Sequence, residues 1–139
     1  MLEKWLNKVV CGDSIELLKE LPNNCIDLMV TDPPYNSSVA EWDNKDDEWQ
    51  VSWLKEAHRI LKAGGSLYVF FAPLNMFGIE KFIRENFTLK NIIVWFHPNL
   101  YGAGLLYGKD RYKSTWEVCL YAVKGDKSTT GINIQRECW

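Results

Sequence analysis

The residue types that most often bind metals or act as nucleophiles are scarce in this chain. They are four cysteines and two histidines: Cys11, Cys25, Cys119, Cys138, His58 and His97. No cysteines have the CxxC or CxH spacing of a zinc site, so we expect no bound metal. Neither histidine lies at a recognisable spacing from a serine, cysteine or carboxylate cluster, which argues against a hydrolase triad. The first three cysteines lie in or beside apolar stretches and are expected to be buried thiols of a reducing compartment.

Chemically useful residues do follow several of the apolar runs. Asp13, Asp32, Pro73 and His97 each stand where such a run ends. In open α/β sheets, ligands bind beyond the carboxyl ends of the strands. We therefore expect the active edge of the fold at these positions.

The elements that would position these residues alternate between strands and helices. The predicted strands are residues 8–11, Ile26–Thr31, residues 67–71, residues 91–96 and Trp116–Val123. The first predicted helix is capped by Asp13 with Glu16 as capping-box partner, and the second ends at Gly64 and Gly65. Helical spacing is shown by three sets, namely Leu17, Leu18 and Leu21, then Val51, Leu54, His58 and Leu61, then Met76, Ile79, Phe82 and Ile83. Residues 36–48 and 97–115 are predicted as loops, the second of them flexible.

Continuous apolar strands between amphipathic helices predict an α/β fold with a mostly parallel sheet covered on both faces. The length of 139 residues predicts a single domain over residues 1–139. With 47% hydrophobic and 24% charged residues, the composition excludes a disordered chain. No apolar run approaches the roughly 20 residues of a membrane span, so a cytoplasmic protein is expected. The net charge of −2 argues against a strong, autonomous nucleic-acid binder and leaves a weak or partial one open.

Several segments together resemble one enzyme family. The strand Ile26–Thr31 runs into Asp32-Pro33-Pro34-Tyr35-Asn36, after an earlier Gly12-Asp13-Ser14. Farther on stand the segments Arg59-Ile60-Leu61-Lys62-Ala63-Gly64-Gly65-Ser66 and Glu117-Val118-Cys119-Leu120-Tyr121-Ala122-Val123-Lys124-Gly125. In these motifs the chain resembles the amino-group DNA methyltransferases, which methylate adenine N6 or cytosine N4 with S-adenosylmethionine. The resemblance implies a Rossmann-like methyltransferase fold, DNA as the partner, and a role in DNA methylation or restriction-modification.

The resemblance assigns catalysis to Asp32, Pro33, Pro34 and Tyr35. The exocyclic amine of a base is a poor nucleophile because its lone pair is delocalised into the ring. The Asp32 carboxylate and the Pro33 carbonyl can hold both N–H bonds out of the ring plane, which would localise that lone pair. The prolines stiffen the turn, and Tyr35 offers an aromatic face to a base flipped from the duplex.

Several further residues could either contact a ligand or have a purely structural role. By the resemblance, Gly12 and Asp13 border the adenine pocket of the cofactor, although a role as helix N-cap would by itself explain Asp13. Asn36 either lines the base pocket or is a plain loop residue. Three loop cations either contact DNA phosphates or are only solvated: Lys109, Arg111 and Lys113.

The family's cofactor-binding signature, Phe-x-Gly-x-Gly after a strand, does not occur in this sequence. In one permuted order of the family that signature follows the catalytic half. We therefore expect an incomplete fold that lacks the cofactor-binding strands and binds S-adenosylmethionine weakly or not at all by itself. The chain is then the catalytic part of a DNA methyltransferase, with Asp32 favouring adenine N6 over cytosine N4. The alternatives are an inactive remnant or one part of a split enzyme.

The missing strands also lead to an expectation about the sheet. In the family's fold they separate the strand at residues 8–11 from Ile26–Thr31. We expect these two strands either to pair directly or to leave a gap that a second chain or self-association fills. We favour direct pairing, because the intervening helix is short enough for a right-handed crossover.

Overall fold

The computed structural model describes residues 2–38, 40–97 and 115–125, which form one layered α/β unit. Its helices are α1 (Ser14–Lys19), α2 (Asp47–Ile60) and α3 (Phe77–Asn86), with a 3-10 turn at Glu41–Asp43. Its strands are β1 (Ile26–Thr31), β2 (Leu61–Phe71), β3 (Thr88–Phe96) and β4 (Trp116–Val123). The predicted α/β class is confirmed, and the strands predicted at Ile26–Thr31 and Trp116–Val123 have the predicted bounds.

The sheet is mixed, with the strand order β1-β2-β4-β3. β1 runs parallel to β2, whereas β4 is antiparallel to both of its neighbours. Three of the four described strands, β1, β2 and β3, run in the same direction, as predicted for a mostly parallel sheet, and only β4, between β2 and β3, runs in the opposite direction. The carboxyl ends of β1, β2 and β3 nevertheless share one edge, and Asp32, Pro73 and His97 follow these ends.

One face of the sheet carries the hydrophobic core. Alternate residues of the two central strands pack against α2 and α3, with the shared core made of Trp53, Leu54, Ala57, Leu67, Val69, Phe71, Ile79, Ile83, Val118, Leu120 and Ala122. On the opposite face, the rings of Tyr68 and Tyr121 stack 4.5 Å apart. Leu28 and Val30 of β1 are 54% and 60% exposed. Within the described residues, the predicted coverage of both faces is not observed.

The strand predicted at residues 8–11 does not form. These residues have no regular structure, Val9 is fully exposed, and β1 is the edge strand of the described sheet. Direct pairing with β1 is therefore wrong. A four-residue strand adds few hydrogen bonds, and an apolar residue gains from the sheet only where another layer covers it.

Three helix boundaries can be compared with the sequence prediction, namely the start of α1 and both ends of α2. Asp13 caps α1 as predicted, since its Oδ1 accepts from the backbone N–H groups of Ile15 and Glu16 at 2.9 and 3.1 Å. Asp46 caps α2 in the same way, so the predicted loop at 36–48 contains the first residues of that helix. α2 ends at Ile60 rather than at Gly64, because Leu61 already belongs to β2.

The cysteines differ in burial. Cys119 is buried as predicted, Cys25 is half-buried, and Cys11 is exposed, so the expected burial of Cys11 is wrong. Cys138 lies outside the described residues. Across the described part of the chain, no helix is long and apolar enough to cross a membrane, and no three metal-ligating side chains are grouped.

We predict that Leu54→Ala lowers the free energy of unfolding by about 2–5 kcal/mol, because the fully buried Leu54 would leave a cavity between α2 and the sheet. Leu6→Ala removes the same atoms at a 61% exposed position and serves as the control. Urea unfolding followed by circular dichroism measures both. Equal effects of the two substitutions would contradict the assigned core.

Candidate active site

The candidate site begins where β1 leaves the sheet. Thr31 is the last residue of β1, and the two prolines that follow Asp32 lack the N–H that would continue the ladder. Asp32 is exposed at this edge, whereas Pro33 is buried. The sheet therefore presents a carboxylate beside a main-chain segment whose φ angles are set by proline rings.

Tyr35 packs back against the end of β2. Its ring centroid lies 4.9 Å from that of Phe71, with 48° between the ring planes. Its hydroxyl donates a hydrogen bond to Oδ1 of Asp32. Burial first, and this bond second, raise the pKa of Tyr35 well above its ordinary value. Tyr35 is therefore a protonated donor held against the carboxylate of Asp32.

Three polar side chains from separate elements hold the main chain of the motif. Asp43 accepts from the Tyr35 N–H at 2.7 Å. Gln50 of α2 donates through Nε2 to the Pro34 carbonyl at 2.6 Å. Asn75, which follows β2, donates through Nδ2 to the Tyr35 carbonyl at 2.8 Å. The Asp-Pro-Pro-Tyr turn is thus fixed by partners 8 to 40 positions away along the chain.

These three anchors were not predicted from the sequence. The sequence predicts Asp43 and its acidic neighbours as a loop that does not contact DNA. It places Gln50 beside the predicted second helix. Their partners are main-chain groups, which every residue type carries, so neither composition nor periodicity marks them.

A cavity of about 270 Å³ opens beside the turn. It lies between the motif, the start of α2 and the segment after β2, and is lined by Tyr35, Asn36, Lys45, Asp47, Gln50, Phe71, Leu74, Asn75, Phe77 and Gly78. A side chain at Gly78 would place its Cβ 2.6 Å from the Asp47 carboxyl carbon, so glycine allows this close approach. The mixture of aromatic, amide and charged groups suits a small planar heterocycle with polar edges.

The other predicted site residues lie in different places. Asn36 is exposed, lines the cavity and has a φ of +56°. Gly12 and Asp13 do not line it, and Asp13 uses one carboxylate oxygen to cap α1. His97 lies at the same edge of the sheet, with its ring centroid 4.3 Å from that of Trp95. The loop cations predicted at Lys109, Arg111 and Lys113 lie outside the described residues, as does most of the predicted 97–115 loop.

Comparison with known proteins assigns the chain to a family. The model of the N6/N4 DNA methylase family matches residues 26–137. The DNA adenine methyltransferase YhdJ of Escherichia coli is 34% identical over 131 residues, which cover 88% of this chain and 42% of that protein. The chain therefore belongs to the N6/N4 DNA methylase family, and the family predicted from its motifs is confirmed.

Solved structures show the same fold. The PvuII DNA methyltransferase, described as cytosine-N4-specific, is 26% identical with a TM-score of 0.65, over 81% of this chain and 47% of that one. A DNA modification methylase from Thermus thermophilus, solved with S-adenosylmethionine, is 24% identical with a TM-score of 0.61, over 91% of this chain and 59% of that one. The chain thus spans less than half the length of YhdJ and about half the length of these two structures.

The cavity beside Tyr35 includes neither Gly12 nor Asp13, the residues expected to border the cofactor. Asp13 Oδ1 is taken up by two N–H groups of α1, a helix of only six residues. Gly12 and Asp13 are thus not placed to hold a cofactor within this cavity.

The raised pKa of Tyr35 predicts how stability depends on pH. An unfolded tyrosine ionises near pH 10.0, while folded Tyr35 stays protonated there, so its contribution to stability is complete below that pH and declines above it. Tyr35→Phe should make the decline of unfolding free energy above pH 10.0 shallower. Urea unfolding on either side of that pH measures the slope. An identical slope in the variant and the wild type would contradict the raised pKa of Tyr35.

Proposed function

We propose that this chain supplies the catalytic residues of a DNA methyltransferase. The enzyme transfers a methyl group from S-adenosylmethionine to the exocyclic amine of a flipped base, with adenine N6 as the favoured acceptor. The observation that carries this proposal is the anchored turn at the end of β1, where the exposed Asp32 carboxylate accepts a hydrogen bond from Tyr35, whose ring lines the cavity. Membership of the N6/N4 methylase family supports the same chemistry.

Two acceptors act on the amine. The Asp32 carboxylate and the Pro33 carbonyl each accept one N–H bond and draw both out of the plane of the base. The lone pair, no longer delocalised into the ring, becomes the nucleophile. S-adenosylmethionine supplies the electrophilic methyl group. The anchors on Pro34 and Tyr35 keep both acceptors aimed without ordering them on binding.

In this mechanism the Tyr35 hydroxyl gives way when the base binds. It donates to Asp32, the group that the amine must contact. Once the amine replaces it there, the ring of Tyr35 serves as the stacking face, beside the cavity that Asn36 also lines. The hydroxyl has no further role in the complex.

Cytosine N4 is the second candidate acceptor. The relatives include an adenine methyltransferase and a structure described as cytosine-N4-specific, so similarity alone favours neither base. We favour adenine because serine is commoner than aspartate at the first motif position in the cytosine enzymes. Mass spectrometry of nucleosides from methylated DNA separates N6-methyladenine from N4-methylcytosine.

We further propose that the cofactor half is supplied elsewhere, either by a longer form of the protein or by a separate polypeptide next to β1. The position of β1 at the edge of the described sheet and the exposed side chains of Leu28 and Val30 support this arrangement. Calorimetry of the chain with S-adenosylmethionine tests it, and weak or no binding is expected. Tight binding by the chain alone as a monomer would overturn the proposal.

Asp32→Ala should lower methyl transfer about 100- to 1,000-fold in any active form, because one of two preorganised acceptors is lost. Transfer of labelled methyl groups to DNA measures the rate. Glu85→Ala removes an exposed carboxylate on α3, away from β1 and the motif, and provides the control. An undiminished rate for Asp32→Ala would exclude the assigned role.

Tyr35→Ala should weaken base capture, while Tyr35→Phe and Tyr35→Trp should be milder, because stacking needs the ring and not the hydroxyl. Loss of one stacked ring costs about 1–3 kcal/mol of binding. Fluorescence of 2-aminopurine at the target position reports the flipped base. We would abandon the stacking role if the phenylalanine variant were as damaged as the alanine variant.

A further inference from the structure

Asp43 makes an unusual set of bonds to the motif. Its Oδ1 accepts from the Tyr35 N–H at 2.7 Å, and its Oδ2 accepts from the Ser37 N–H at 2.6 Å. Its own carbonyl accepts from the Asn36 N–H at 3.0 Å. Three consecutive N–H groups, directly after the two prolines, therefore converge on one residue.

Burial gives these bonds their strength. Asp43 is only 2% exposed. A carboxylate is costly to remove from water unless donors replace its hydration, and N–H bonds to a charged acceptor are about twice as strong as neutral ones. The charge of Asp43 is thus solvated in part by the main chain of the motif. Its carboxylate faces that main chain, which sets it apart from the exposed carboxylate of Asp32.

The backbone at and beside the segment held by Asp43 includes two left-handed residues. Asn36 has a φ of +56° and Ser38 a φ of +59°, both in the left-handed region that non-glycine residues seldom adopt. Such conformations persist where the surrounding structure over-determines them. The three bonds to Asp43 supply that determination at Asn36.

Asp43 is itself fixed in place. It ends the 3-10 turn Glu41–Asp43, and its N–H donates to the Ala40 carbonyl at 3.0 Å. Its carbonyl also accepts from the Lys45 N–H at 2.8 Å, just before α2 begins. The start of α2 and the motif are thereby joined through one residue.

We propose that Asp43 is a positioning residue, whose buried carboxylate sets the conformation of residues 35–37 and so the aim of Asp32 and Tyr35 at the target amine. The catalytic part of this proposal rests on the proposed function. The three hydrogen bonds from residues 35–37 to Asp43, here called the clamp, do not depend on the proposed function, because they lie within the chain.

The test uses Asp43→Asn, which keeps the shape and replaces one acceptor oxygen by an NH₂ group that faces an N–H donor. Asp27→Asn makes the same chemical change at an exposed position paired with Lys62, away from the motif. Residue-resolved amide hydrogen exchange by NMR, on wild type and both variants, reports the clamp without any need for activity.

In the wild type, the amides of Tyr35 and Ser37 should be protected. Asp43→Asn should speed their exchange about tenfold or more, while Asp27→Asn leaves it unchanged. In methyl-transfer assays of an active form, Asp43→Asn should lower kcat about 100-fold with little change in KM for DNA. A merely structural role would instead lower the folded fraction, which circular dichroism would show, and leave the kcat of folded molecules unaltered.

Unprotected Tyr35 and Ser37 amides in the wild type would overturn the proposal, even if Asp43→Asn failed to fold. Unchanged protection or an unchanged kcat in a folded Asp43→Asn would overturn it as well. If no form of the wild type methylates DNA, the proposed function fails, and the exchange data alone decide on the clamp.

Discussion

The two consecutive prolines after β1 are the constraint on which the rest of the site depends. Proline has no N–H, so the chain cannot extend the ladder and must leave the sheet at this edge. The main-chain groups that follow then need partners outside the sheet. Asp43, Gln50 and Asn75 provide them from the 3-10 turn, from α2 and from the segment after β2. The site is therefore held together by the hydrogen bonds that the main chain needs where it leaves β1.

The same hydrogen bonds to the motif explain where the cavity lies. The anchors bring the start of α2 and the turn after β2 toward the motif, and the space left between them is the cavity beside Tyr35. Trp53 completes this arrangement, since its indole N–H donates to Gln50 Oε1 at 2.7 Å. The core-facing side of α2 thus orients the amide that holds Pro34.

The exposed apolar residues of β1 agree with the partial coverage of the relatives by this chain. The chain aligns with 42% of YhdJ, and its described sheet leaves apolar β1 residues exposed. An exposed apolar strand edge is unfavourable in water and prone to pairing. The Asp-Pro-Pro-Tyr turn itself begins from a paired strand, since β1 pairs with the central strand β2 up to Thr31.

Much of the fold was predictable because it depends on local patterns. The bounds of β1 and β4 follow from continuous apolar runs, and the cap of α1 follows from one aspartate before an apolar face. The direction of β4 was not predictable, because apolar runs carry no information about strand orientation. The strand predicted at residues 8–11 did not form, because an apolar segment becomes a strand only where a partner strand is available.

The sequence alone indicated the proposed chemistry and its place along the chain: an aspartate, two prolines and an aromatic ring, directly after an apolar strand, with the family that these motifs resemble. These are properties of residue types and of neighbours along the chain. Only the tertiary structure decided which groups hold that turn, because the hydrogen bonds of Asp43, Gln50 and Asn75 join main-chain atoms to distant side chains. Such bonds depend on where the folded elements lie in space, and no periodicity or composition records that.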